Sequence, residues 1–200
     1  MKQQNLITFI LLLICTISGE ARGQAVSKDA QSGTNPPPRT VSQVLDIWIS
    51  NTETQVVPLA DAMPEEKYSF APTTGEFKGV RTFAEQVKHL AAFNYLAANF
   101  ILGRTPTLDQ KEEAGPETVK TKAEVMEYLK GSFALLHQAV ARIDDKNLIE
   151  ALPDASKGRL ALALETRLAL AIDAMAHSFD HYGQMVEYLR MNGIVPPASR

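Results

Sequence analysis

DAMAHSFDHYGQMVEYLRMNG, residues 173–193, has the pattern of an amphipathic helix that ends at a glycine. At about 100° per residue, one stripe of such a helix carries five polar or aromatic side chains: Asp173, His177, His181, Gln184 and Tyr188. Gly193, which two prolines follow closely, is a typical helix end. The apolar period continues upstream to about Leu160, so the sequence predicts a helix over residues 160–191.

Three further segments have the same helical period. The sequence predicts these helices over residues 41–62, 82–103 and 121–143. Each begins with a capping-box pair, which is Thr40 with Gln43, Thr82 with Glu85, and Thr121 with Glu124. No segment alternates as a strand would, so an all-α four-helix bundle is expected. Two of the connections are long, and the helices therefore need not follow a plain up-down-up-down order.

Residues 1–25 have the pattern of a secretory signal peptide. Lys2 gives a positive start, and residues 6–17 form a nearly unbroken apolar run. This run is shorter than the roughly 20 residues that a membrane-spanning helix needs, so removal after Ala21 or Ala25 is expected. The mature protein would then be periplasmic or secreted, without stable membrane insertion. Residues 26–39 are polar and proline-rich, which predicts a disordered leader before the bundle domain at 40–200.

The single cysteine, Cys15, lies inside the expected signal peptide. Ile14 precedes it, where lipoprotein processing requires a small residue, so a lipid anchor is not expected. The mature chain would have no thiol, neither for a disulfide nor as a nucleophile. The formal net charge is −3, so lysine and arginine are not in excess over the acidic residues, and no nucleic-acid partner is expected.

The spacing of His177 and His181 points to metal binding. Histidines at positions i and i+4 lie on one helix face, about 5–6 Å apart, where both rings can reach one ion. The alternative is a pair of surface histidines on a polar flank. Ser178 argues against a zincin, because that motif needs a glutamate at this position. A di-iron bundle is not expected either, since the chain has no paired Glu-x-x-His motifs.

A third ligand has to come from another helix. His89 is the better candidate because it lies in the apolar stretch of the second helix, although a buried core histidine is the alternative. His137, on the flank of the third helix, is expected to have no role. Asp173 and Glu85 each precede a candidate ligand by one turn, and either could accept a hydrogen bond from an imidazole N–H.

Two segments together resemble the DinB-like (YfiT-like) superfamily. They are RTFAEQVKH at residues 81–89 and HSFDHYGQMVEYLRMNGIVPP at residues 177–197. The resemblance covers roughly residues 40–200 and implies a four-helix bundle with a divalent metal ion, typically zinc or nickel. The implied ligands are His89, His177 and His181. Members with known activity are thiol-dependent transferases and isomerases, and a signal peptide sets this sequence apart from them.

Three hypotheses for the function follow. The first is an exported metal-dependent hydrolase or group transferase that acts on an unknown small molecule. The second is a non-catalytic bundle in which the metal ion ties two helices together, with a binding or structural role. The third is a helical bundle that binds apolar ligands or a partner without any metal. A homodimer is compatible with the helical faces, but nothing in the sequence requires one, and no catalytic residue is assigned.

Overall fold

The computed structural model describes residues 37–73, 75, 79–107, 114–152 and 165–200. Across these ranges the chain forms four long helices and no strand: α1 (Val41–Ala62), α2 (Phe83–Ile101), α3 (Lys122–Val140) and α4 (Arg167–Met191). Short 3-10 helices cover Glu65–Lys67 and Pro197–Ser199. The all-α four-helix architecture is thereby confirmed. The expected signal peptide and almost all of the expected leader lie outside the described residues.

The first three helices begin where the capping pairs predict. Each threonine side chain accepts the backbone N–H three residues later, and that later side chain accepts the N–H of the threonine. At the start of α2, for example, the Thr82 N–H donates to Glu85 Oε2 over 2.7 Å. These reciprocal bonds satisfy two backbone donors that the first turn of a helix otherwise leaves unpaired.

The start of α4 differs from the prediction. The helix begins at Arg167 rather than near Leu160, and residues 160–164 lie outside the described residues. Thr166 has an extended backbone and accepts the Ala169 N–H on its side chain, which caps the helix there. Thr166 also forms an isolated antiparallel bridge with Ala151. The apolar pattern upstream of Thr166 therefore does not mark the first turns of α4.

Each helix packs mainly against two others. The principal contacts join α2 to α3 and α4, and α1 to α3 and α4. His137, late in α3, hydrogen-bonds Asp46, early in α1, so these two helices are antiparallel. Gln86, early in α2, hydrogen-bonds Gln184, late in α4, so this pair is antiparallel as well.

In chain order, the four helices run up, down, down and up. Val41 and Leu168 both lie in the first turn of their helices and line the same surface groove, so α1 and α4 are parallel. The long α1–α2 connection therefore crosses a diagonal of the bundle, as the link lengths allowed. The contacts between α2 and α4 show that these two helices are neighbours. None of the helices that the structure describes is long and apolar enough to span a membrane.

The interior is apolar, and its largest fully buried side chains include Phe83, Phe100 and Phe133. Three polar side chains interrupt it at the α2–α4 interface. Gln86, His89 and His181 are only 3%, 8% and 5% exposed. Burying a polar group costs free energy unless it has a hydrogen-bond partner, so this interface is the candidate functional site.

Candidate metal centre

The three histidines that the sequence singles out come together between α2 and α4. His89 lies on α2, while His177 and His181 lie one turn apart on α4. Each offers one ring nitrogen, and these three atoms lie within 4.8 Å of one another. The distances between ring centroids are 4.9 Å for His89 and His177, 4.7 Å for His89 and His181, and 4.5 Å for His177 and His181.

His177 is held by an aromatic stack and has an unused nitrogen. Its ring lies almost parallel to that of Phe93, with 4.3 Å between the centroids and 17° between the planes. Its Nε2 is buried and has no hydrogen-bond partner. A buried nitrogen without a partner costs free energy, and it therefore needs an explanation such as an ion.

Burial keeps the two α4 histidines neutral. Burial is the main reason that the pKa of His177 is lowered to about 3, and the positive charges that His181, His89 and Arg81 can carry are the further causes. Burial likewise lowers the pKa of His181 to about 4, with His89 as the next cause. Near neutral pH both rings therefore have a free lone pair, which is the form that binds zinc or nickel.

The partner of His181 is a residue that the sequence did not point out. His181 Nδ1 lies 2.6 Å from Oε1 of Gln86, which stands one turn before His89 on α2. Gln86 in turn donates from Nε2 to Gln184 Oε1 over 3.0 Å. The signal was present in the sequence as a glutamine on an otherwise apolar helix face, but which side chain of α4 it meets depends on how the two helices pack.

Neither acid expected to support a ligand does so. Glu85 is engaged in the cap of α2, and the Thr82 backbone N–H is the main reason that its pKa is lowered. Asp173 is half-buried, and burial raises its pKa, but no hydrogen bond joins it to a histidine within the described ranges. Tyr188 belongs to the core, where its hydroxyl donates to the Arg81 carbonyl over 2.9 Å.

His137 lies apart from the cluster and ties α3 to α1. Its Nδ1 lies 2.5 Å from Asp46 Oδ1, and its Nε2 lies 3.2 Å from Glu53 Oε2. Both of its nitrogens have partners, in contrast to the unused Nε2 of His177. His137 is therefore not part of the histidine cluster, and it connects two helices.

The arrangement could hold a metal ion. Three imidazole donors, two of them held neutral by burial, form the ligand set that zinc and nickel accept, and a buried nitrogen without a partner fits an ion at this point. The fourth position of a tetrahedral ion would remain for water or substrate. The residues present therefore fit a divalent ion.

Comparison with known proteins agrees with this geometry. No curated protein matches the chain. The family model of the DinB superfamily matches residues 49–185, more than half of the chain, and all three histidines lie within the matched region. DinB-like proteins bind metal ions, and the histidine cluster is compatible with that property. The chain belongs to the DinB superfamily.

Proposed function

We propose that this protein is an exported enzyme that uses a divalent metal ion, zinc or nickel, to hydrolyse a small molecule or to transfer a group to or from it. The observation that carries the proposal is the buried, unpartnered Nε2 of His177 inside the three-histidine cluster. An ion explains this atom, whereas a purely structural histidine would have a partner of the kind that His137 has.

The donor set supports catalysis rather than storage of the ion. A divalent ion on three imidazoles keeps a position at which bound water becomes acidic or a carbonyl is polarised. The chain contributes by positioning the rings. Phe93 stacks on His177, and Gln86 holds Nδ1 of His181. Among the residues that the structure describes, the cluster consists of histidines alone, which are neutral ligands.

The first test is metal content. The purified protein, loaded with zinc or nickel and freed of excess ion, should contain about one ion per chain. Replacing His89, His177 or His181 with alanine should abolish this content, and His137→Ala should leave it unchanged because His137 lies outside the cluster. Negligible metal in the wild type, or unchanged content in all three cluster variants, would rule the proposal out.

A second candidate is a metal ion that only ties α2 to α4. It is favoured by the partners of the two α4 histidines, since His181 faces an amide and His177 Nε2 has no partner, so that neither is hydrogen-bonded there to a carboxylate that could act as a general base. Turnover of esters, amides, phosphate esters or thiol acceptors that disappears with the metal ion would establish the enzyme. Metal-dependent thermal stability without turnover of any of these substrates would show that the ion only connects the two helices.

The export part of the proposal rests on the sequence of residues 1–25. Cell fractionation should place the protein outside the cytoplasm. N-terminal sequencing should find a first residue that follows Ala21 or Ala25, because small residues precede these cleavage points. A cytoplasmic protein that retains Met1 would contradict export and leave the metal site untouched.

A further inference from the structure

Gln86 is a buried polar side chain that links the histidine cluster to the surface of α4. It is only 3% exposed, and its two amide atoms face different partners. Oε1 lies 2.6 Å from His181 Nδ1, while Nε2 donates to Gln184 Oε1 over 3.0 Å. Gln184 continues outwards and donates from its own Nε2 to Asp180 Oδ2 over 3.1 Å. Four side chains thus form one hydrogen-bonded chain from solvent to a candidate ligand.

The direction of this chain is set by its outer end. A carboxylate only accepts hydrogen bonds, so Gln184 turns its NH2 group toward Asp180 and its oxygen toward Gln86. Gln86 then gives its NH2 group to that oxygen and turns its own oxygen toward His181. An amide oxygen is an acceptor, and His181 Nδ1 must therefore carry the proton.

We propose that Gln86 is the positioning residue of the candidate site, which fixes His181 in the Nδ1–H tautomer so that Nε2 is the atom that binds the metal ion. This inference rests on the proposed metal function. Ring nitrogens that bind metals are commonly oriented by a hydrogen bond from the other nitrogen. In this chain the acceptor is a neutral amide rather than either of the acids that the sequence suggested.

The choice of an amide has a chemical consequence. A carboxylate facing His181 Nδ1–H would attract this proton strongly and raise the basicity of Nε2 as a metal ligand. The amide oxygen of Gln86 orients the ring but leaves it a neutral ligand. Compared with a carboxylate partner, this amide would leave more positive charge on a bound ion, which would then polarise a bound water or carbonyl more strongly.

Gln86→Leu tests the inference, because leucine has a similar size and no acceptor. Zinc affinity, measured by competition with a chromophoric chelator, should fall about 10- to 100-fold. Asn94→Ala is the matched control. Asn94 is also buried on α2, and its Nδ2 donates to Ser132 of α3 over 3.4 Å, away from the cluster. This control should lose stability without losing zinc affinity.

A rescue variant separates positioning from packing. Gln86→Glu keeps an acceptor toward His181 but loses the donor toward Gln184. Adding Asp180→Asn lets both hydrogen bonds of Gln184 reverse their direction. The asparagine NH2 group can donate to the Gln184 oxygen, and the Gln184 NH2 group can then donate to the carboxylate at position 86. The double variant should recover most of the zinc affinity that Gln86→Leu loses. A role in packing alone would give Gln86→Glu the same zinc affinity with and without Asp180→Asn, because glutamate has the shape of glutamine.

The tautomer can be read without any metal ion. Long-range proton–nitrogen NMR of the metal-free wild type should show His181 protonated at Nδ1, and Gln86→Leu should move the proton toward Nε2, which free histidine prefers. If the wild type binds zinc but Gln86→Leu binds it as tightly as Asn94→Ala does, the inference is wrong and the metal function stands. If the wild type binds no zinc, both the proposed function and this inference fail. A wild-type His181 protonated at Nε2 would overturn the inference by itself.

Discussion

The buried Nε2 of the single residue His177 is a stability cost that a bound ion would remove. A buried polar atom without a partner costs about 1–3 kcal/mol. His177→Leu replaces the ring with an apolar side chain of similar size, still beside Phe93. In the presence of a chelator we expect this variant to unfold at a higher temperature than the wild type, by a few degrees for each kcal/mol gained. Thermal unfolding followed by circular dichroism measures the shift.

His137→Leu is the matched control for this prediction. Both nitrogens of His137 have carboxylate partners on α1, so the substitution removes contacts and should lower the unfolding temperature. Opposite shifts in the two leucine variants would identify His177 as a residue kept for binding at the expense of stability. A lower unfolding temperature in both would show that His177 is a structural residue.

Glu85 gives a pH-dependent contribution to stability. Its pKa is lowered from an ordinary value of 4.5, first by the Thr82 backbone N–H and also by the Thr82 hydroxyl, while partial burial opposes the shift. The ionised form therefore stabilises the folded state above pH 4.5, and this stabilisation is lost as the pH falls through the lowered folded pKa. Glu85→Gln should lower the urea midpoint near pH 7, and the difference from the wild type should shrink near pH 3.

A glutamate outside any cap serves as the control for Glu85. Glu117 is exposed in the connection before α3. Glu117→Gln should change the urea midpoint little at either pH, because exposed charges without a defined partner contribute little to stability. If the difference in urea midpoint between the wild type and Glu85→Gln were as large near pH 3 as near pH 7, the stabilisation by the cap would not depend on the charge of Glu85.

At the scale of elements, the sequence predicted three of the four helix starts because each has a local signal. The Thr82 and Glu85 pair forms its bonds within one turn, so neighbouring residues suffice to specify it. The start of α4 was missed since apolar residues continue the period upstream of Thr166, whereas the bridge to Ala151, distant in sequence, accompanies the actual helix start. Local patterns do not contain such a contact.

The α2–α3 interface contains a helical glycine with a clear reason to be there. A Cβ at Gly131 would overlap the hydroxyl of Tyr95, while the next ring atom, Cζ, would lie at an ordinary 3.6 Å. Alanine is favoured over glycine inside a helix by about 1 kcal/mol. Gly131→Ala alone should therefore bring no gain in stability, but in a Tyr95→Phe background it should stabilise by about 1 kcal/mol.

Urea unfolding of the wild type, both single variants and the double variant completes the cycle. The two substitutions should be coupled because they involve atoms in direct contact. Additive effects would mean that the Tyr95 hydroxyl moves away freely, and that the glycine is not required by this contact.

In the bundle as a whole, the packing of α2 against α4 brings together residues that are far apart in the sequence. His89 and His177 meet because α2 and α4 are neighbours, and the histidine spacing with the family resemblance was enough to predict this cluster. Gln86 could not be predicted in the same way. Its contact with His181 depends on the rotation of α2 about its axis, which the helical period leaves undetermined.

Because its three candidate ligands lie on two helices, a bound ion should stabilise the bundle as a whole. A ligand that binds only the folded state adds about 2.7 kcal/mol when its free concentration is 100 times Kd. Zinc or nickel should therefore raise the unfolding temperature of the wild type in a concentration-dependent way, and a chelator should reverse the rise. Differential scanning fluorimetry across a metal titration measures this.

His89→Ala decides whether the stabilisation comes from the link between helices. This variant keeps both histidines of α4 but loses the only cluster ligand on α2. An ion bound by α4 alone would cross-link nothing and would bind more weakly, so the unfolding temperature should not respond to the same metal concentrations. If His89→Ala responded as the wild type does, the ion would be acting through exposed carboxylates elsewhere on the surface. The histidine cluster would then not be the site that stabilises the fold.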